Sequence, residues 1–228
     1  CIRDSKESSE MELHNDALLE PNPVMSEGKS LLGKLTVDVN EKLNMTLTLD
    51  NQEWSSDIIV NTDIGSTFYP GLSLLSTTSS SEGADEGSRD RVSLKLNYAA
   101  QNNLFDSAIL NIFSQSTDQQ QITNKVVADM VFGQFGPIGP PSPGLLFRDF
   151  QFNQSVSGMA LELRKSFDQF NGRDVVYGFD TETLETERFR NSTLTSLITG
   201  IPTSNVYGTI YPSKTLPNTD TTRTGIYY

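Results

Sequence analysis

The sequence predicts a mainly β protein, an antiparallel sandwich or partly closed barrel, with a helical insertion near 103–132. Three observations carry this reading. Strand-length segments alternate apolar and polar residues, as in "KLNMTLTLD". Charged residues make up only 20% of the chain, and Ser, Thr, Asn and Gln supply much of the polarity, as in "STTSSS" and "NTDTTRT", a composition that suits β-rich proteins outside the cytosol. In the middle of the chain the apolar spacing changes from two residues to four, which predicts helix.

Taken in order, residues 2 to about 30 read as an extension, because "DSKESSEME" is charged and polar and Pro21 and Pro23 interrupt any helix. Leu35, Val37 and Val39, then Leu43, Met45, Leu47 and Leu49, alternate with polar residues, and the intervening "NEK" is short enough for a hairpin. "SDIIVNT", "TFYPGLSLLS" and "RVSLKLNYA" continue the β pattern, with "STTSSSEGADEGSRD" read as a long polar loop. Leu104, Ala108 and Ile112, beside Phe105, Ile109 and Phe113, predict one amphipathic helix. Ile122, Val126 and Met130, with Val127 and Val131, predict a second, joined to the first near "SQSTDQQ" and ended by Gly133. "GPIGPPSPG" reads as a rigid connection. "LLFRDFQFNQSVSGMALELRKSF" and "RDVVYGFD" read as strands, "STLTSLITG" as a helical turn or a strand, and everything from Ile201 on as extended. The expected organisation is an extension over 1–30, a β-rich domain over 31–200 and an extended segment over 201–228.

Chemistry is mostly excluded. Asp and Glu number 29 against 17 Lys and Arg, a formal net charge of -12, which repels phosphate backbones and argues against nucleic acid as a partner. His14 is the only histidine and Cys1 the only cysteine, so no Ser–His–Asp or Cys–His site and no zinc or haem ligand set is expected. Neither a P-loop nor a GxGxxG after a strand is present. No catalytic residue and no cofactor is therefore expected, and paired carboxylates are the one enzymatic chemistry left open. Glu82, Asp85, Glu86 and Asp90 are weak candidates for a hard cation, with a spacing that matches no EF-hand. Trp54, the sole tryptophan, reads as a core or interface anchor.

Cys1 stands at position 1 ahead of a polar segment. This resembles a mature bacterial lipoprotein. The resemblance implies a covalent lipid on Cys1, attachment to a membrane through that lipid and, since Ile2 and not Asp follows, a place at the bacterial outer membrane or cell surface. The function expected is a non-enzymatic structural subunit of an extracytoplasmic assembly: an outer-membrane complex, a pilus or a surface filament. It would join other copies of itself or other envelope proteins through Met11, Leu13, Leu18 and Leu19 at one end and Ile226, Tyr227 and Tyr228 at the other. The alternatives are a monomeric tethered protein for ligand binding or adhesion and, third, a carboxylate-dependent hydrolase.

Overall fold

The computed structural model describes residues 2–7, 22–100, 102–167, 173–213 and 217–228. The strands are β1 (Ile2–Glu7), β2 (Val24–Asn40), β3 (Leu43–Ile59), β4 (Gly65–Tyr69), β5 (Leu74–Ala99), β6 (Ser107–Gly133), β7 (Gly136–Pro137), β8 (Ser142–Phe167), β9 (Arg173–Ser196), β10 (Pro202–Thr203), β11 (Asn205–Val206), β12 (Thr209–Ile210) and β13 (Thr219–Tyr227). The long strands follow one another up and down in the order β1-β2-β3-β5-β6-β8-β9, and β13 adds to β9, giving an antiparallel sheet of eleven strands with β4, β7 and β10 as short partners. The sheet is not closed into a barrel. The large sheet with the two-stranded β11–β12 hairpin packed on it fits the predicted mainly β, sandwich-like class.

The hairpin read at "NEK" is present: Asn40 Oδ1 accepts the amide hydrogens of Lys42 at 2.9 Å and Leu43 at 3.0 Å, closing the β2–β3 turn. The helical insertion is not. Residues 107–133 are the single strand β6, paired along its length with β5 and β8. A spacing of four is also a multiple of two. Ala108 and Ile112 therefore share one face of a strand, and Ile109 and Phe113 share the other. The polar stretch expected as a loop is likewise strand. Residues 76–90 lie within β5, held by ladders to β3 and β6 on both sides. Its serines and glycines signal a turn only when no neighbouring strand satisfies the backbone. The boundary placed near residue 30 falls inside β2, and residues 201–228 contain the hairpin and β13.

Strands this long in one layer bury little. Accessible surface is 15738 Å², where a compact monomer of this mass shows roughly 10,000 Å². The compact core is small. Val127 and Leu146 lie on adjacent strands β6 and β8 and are covered by Val206, with Leu194, Tyr207 and Tyr211 around them. Tyr207 and Gly208 have φ of 50° and 85°, the backbone that a two-residue hairpin turn requires. The turn places the Tyr207 ring on Tyr69, centroids 4.8 Å apart. The Tyr207 hydroxyl lies 3.0 Å from Ser76 Oγ and donates to Asp129 Oδ1 at 3.3 Å. A second pin lies nearby, where Asp63, in the 61–63 turn, accepts from Ser81 Oγ at 2.9 Å and pairs with Lys125. Burial pulls the Asp63 carboxyl upward, but the Lys125 and Ser81 hydrogen bonds and the charges of Lys125 and Arg148 together hold it below the ordinary value.

The hairpin carries a pH dependence. Burial, partly opposed by the Ser76 hydrogen bond and reinforced by Asp129 and Tyr69, pushes the Tyr207 phenol up to about 12 from 10.0. A folded value above the unfolded one means the docked hairpin favours the protonated phenol. Its contribution is complete below pH 10 and is lost as pH rises toward 12. Amide exchange in residues 205–212 should accelerate across that window. Tyr207→Phe should abolish the step, at a constant cost of about 1 kcal/mol for the lost hydrogen bonds.

Candidate functional site

Register turns the sequence into two faces, because directly paired residues of neighbouring strands project to the same side. One face, termed outer, carries aligned apolar rows. Val37, Met45, Leu96, Leu110, Leu161, Phe179 and Ile226 form a continuous row across β2, β3, β5, β6, β8, β9 and β13. On either side lie Leu43, Tyr98, Ala108, Leu163 and Tyr177, then Leu35, Leu47, Leu94, Ile112 and Met159. None of these side chains is buried; Leu35 is 61% exposed and Ile226 84%.

The opposite face at the same height is polar. Thr36, Thr46, Lys95, Asn111, Ala160 and Asp180 form one row, and Asp38, Asn44, Asn97, Ile109 and Glu162 the next. These groups bond among themselves: Asn44 Nδ2 donates to Asp38 Oδ1 at 2.7 Å, and Asn97 Nδ2 donates to Asn44 Oδ1 at 3.3 Å. This is the inner face. The β11–β12 hairpin and the 61–63 turn both fold over its far end. Along β6 its residues 111, 113, 115, 117 and 119 are half-buried, while 112, 114, 116 and 118 on the outer face are exposed.

The apolar belt runs obliquely. On β2 it spans Leu31 to Val39, centred on Leu35, whose row reaches Met159 on β8. On β8 the uninterrupted apolar stretch is Met159 to Leu163, centred on Leu161, whose row reaches Val37 on β2, and Lys165 follows on the same face. The centre has moved two residues, about 7 Å, over four strand spacings of about 4.8 Å, a slant of about 20°. Connections are unequal at the two ends. Among the described residues, the belt end has the 41–42 turn and residues 102–106; the far end has residues 60–73, 134–141, 197–213 and 217–218.

Charge divides between the faces. Of the twelve Lys and Arg on strands with described side chains, ten lie inside and only Lys29 and Lys165 outside. Of the nineteen strand acids, eleven lie outside and eight inside. All eleven outer acids lie beyond the belt. Inside, several arginines rest on phenylalanine rings: Arg91 over Phe113 at 5.3 Å, Arg188 over Phe152 at 5.3 Å and Arg190 over Phe150 at 5.0 Å. Arg89 pairs with Asp50 at 2.9 Å. Trp54 lies flat over Gly87 on the inner face, where an added Cβ would sit 2.1 Å from its ring.

Of the residues singled out in the sequence, Glu82, Glu86 and Asp90 lie on the outer face of β5 and Asp85 on the inner face. A strand spaces i and i+4 about 13 Å apart, so these acids do not converge. Among the described residues no group of three His, Cys, Asp or Glu could hold a metal. Cys1, Met11, Leu13, Leu18 and Leu19 lie outside the described residues. Ile226 and Tyr227 lie on β13, at the sheet edge, and Tyr228 follows them. The belt and the arginine rows were missed. Their signal was present in "ETERFRN", where Glu185 and Glu187 project outward and Arg188 and Arg190 inward, but a charge pattern of period two has meaning only once the segment is known to be strand. A scan against protein-family models finds no match to this chain, and a search among curated proteins finds none either.

Proposed function

We propose that this chain forms part of the wall of a membrane-spanning β-barrel of the outer-membrane type, non-enzymatic, with its outer face in lipid and its inner face lining an aqueous lumen. The observation that carries this reading is the oblique apolar belt backed by a polar face. Barrel strands tilt by about 35–45° and present an apolar band about 25 Å tall, with short turns on one side and longer loops on the other. The unequal connections match that pattern, and the belt slants across the strands. Tyr98 and Tyr177 at the belt's turn end suit a membrane interface, where an aromatic body meets lipid and a hydroxyl meets water. No helix among the described residues is long and apolar enough to cross a membrane, so the spanning elements in this reading are strands. The outer-membrane placement expected from Cys1 is kept, with strands as the principal attachment.

The reading also defines the partners. Among the described residues β1 pairs with β2 over residues 26–31, and β13 lies at the other edge of the sheet. Unpaired backbone groups are not tolerated in hydrocarbon. Each edge therefore joins further strands, from another copy or from other strands of the envelope assembly.

Neighbouring residues provide the test. With Cys1→Ser as background, Leu94→Cys should resist a membrane-impermeant maleimide in lipid vesicles, whereas Lys95→Cys, one residue on and on the inner face, should react. Both should react after unfolding. Equal labelling in vesicles would rule the membrane reading out.

A further inference from the structure

We propose that the inner face holds a binding site for small solutes bearing two or more negative charges on phosphate or carboxylate groups, built from Arg148, Arg188 and Arg190 on a floor of Phe150 and Phe152. The proposal rests on the reading of this face as lumenal. Register places the five side chains together: Phe152 pairs with Arg188, Phe150 with Arg190, and Arg148 with Ser192. Arg188 and Arg190 are two residues apart on one side of β9, about 7 Å. Arg148 is the diagonal neighbour of Arg190 across the β8–β9 ladder, about 7–8 Å away. Three like charges at this spacing repel one another. Among the described residues no carboxylate lies within ion-pair distance of any of the three. Asp63, whose carboxyl feels the Arg148 charge, is already tied to Lys125 and Ser81.

Two further observations point to a ligand. Arg148 Nε is buried without a hydrogen-bond partner among the described residues, and so is Ser213 Oγ, whose backbone bridges to Arg190. Buried donors of this kind are costly unless something accepts from them. In addition, Phe152 and Phe150 support the Arg188 and Arg190 guanidinium groups by cation–π contact, at 5.3 and 5.0 Å. A ring face holds the cation in place without cancelling its charge or occupying its in-plane N–H donors. Those donors match the paired oxygens of carboxylate and phosphate. A chain of net charge -12 that gathers arginines on its inner face, with its excess acids outside, is arranged to draw anions inward.

The test is calorimetric titration of the full chain in detergent micelles with citrate and, separately, with inorganic phosphate. At least one should bind, more weakly as salt rises, and the arm that responds assigns the site to carboxylate or to phosphate. Arg188→Gln with Arg190→Gln should weaken binding at least tenfold while strand content by circular dichroism is unchanged. Arg148→Lys, which keeps charge but loses the fork, should weaken it less. Absence of heat with either anion up to about 10 mM, tenfold above a millimolar dissociation constant, would overturn the proposal, as would parental affinity in the double variant. If maleimide still distinguishes Leu94→Cys from Lys95→Cys in vesicles, such a failure concerns the anion site alone. If it does not, while an anion binds, the membrane reading fails and the arginine patch stands.

Discussion

Leu110→Arg is expected to destabilise the chain in lipid vesicles by about 3 kcal/mol, a shift of about 100-fold or more in the folding equilibrium, because a cation near the middle of a lipid-facing belt costs about 2–4 kcal/mol. Leu110 sits at the centre of the belt on β6, with Leu96 on one side and Leu161 on the other. Asn111 is its neighbour in sequence and lies on the inner face. Asn111→Arg should therefore change stability by no more than about 0.5 kcal/mol, as at an ordinary hydrated position. The contrast separates two environments for the same half-buried leucine. On a sheet bathed by water on both sides, Leu110→Arg is a surface substitution and falls in the same small range as Asn111→Arg. Urea titrations in vesicles distinguish them, and equal midpoints for the two variants would show that the belt does not face lipid.

The belt was partly legible in the sequence. The alternation of Leu43, Met45, Leu47 and Leu49 marks β3 as half-apolar whatever surrounds it, and the neighbouring turn fixes β2 beside it. β6 was not legible. Its apolar residues fall on both faces, the belt on one side and the floor beneath the arginines on the other, with Phe113 under Arg91. A strand so loaded repeats every four residues as readily as a helix does. Residues 76–90 failed for the opposite reason. Ser80, Gly83 and Gly87 carry no apolar period because β5 there is an interior strand held by ladders on both sides, and the side chains it buries, Ser76 and Ser81, are polar. Composition reports burial well and ladder pairing poorly. The faces themselves emerge only when register joins residues far apart in the chain. Arg148 and Arg190 are an example.

Gly178→Ala is expected to cost about 3 kcal/mol and to release β13 from the sheet. Glycine in a strand interior ordinarily weakens it, so this position needs a specific cause. Gly178 pairs with Glu162 on β8 and with Tyr227 on β13. A Cβ there would lie 2.0 Å from the Leu161 carbonyl oxygen and 2.7 Å from Tyr227 Oη. The Tyr227 ring crosses the bare backbone, and its hydroxyl donates to that same Leu161 carbonyl at 3.3 Å. The side chain could rotate away, but only by giving up this bond. The carbonyl belongs to the β8–β9 ladder and cannot move without breaking it. Overpacking of about 1–3 kcal/mol therefore combines with a lost hydrogen bond of about 1 kcal/mol. Gly33→Ala is the control, since its added Cβ would meet nothing closer than Leu49 Cβ at 3.9 Å, and the alanine should be neutral or stabilising by a few tenths of a kcal/mol, as backbone entropy predicts. Hydrogen exchange should show residues 219–227 losing protection in Gly178→Ala while β5 and β6 keep theirs. Retained protection of β13, or an unchanged denaturation midpoint, would mean that Tyr227 does not lock the edge strand through Gly178.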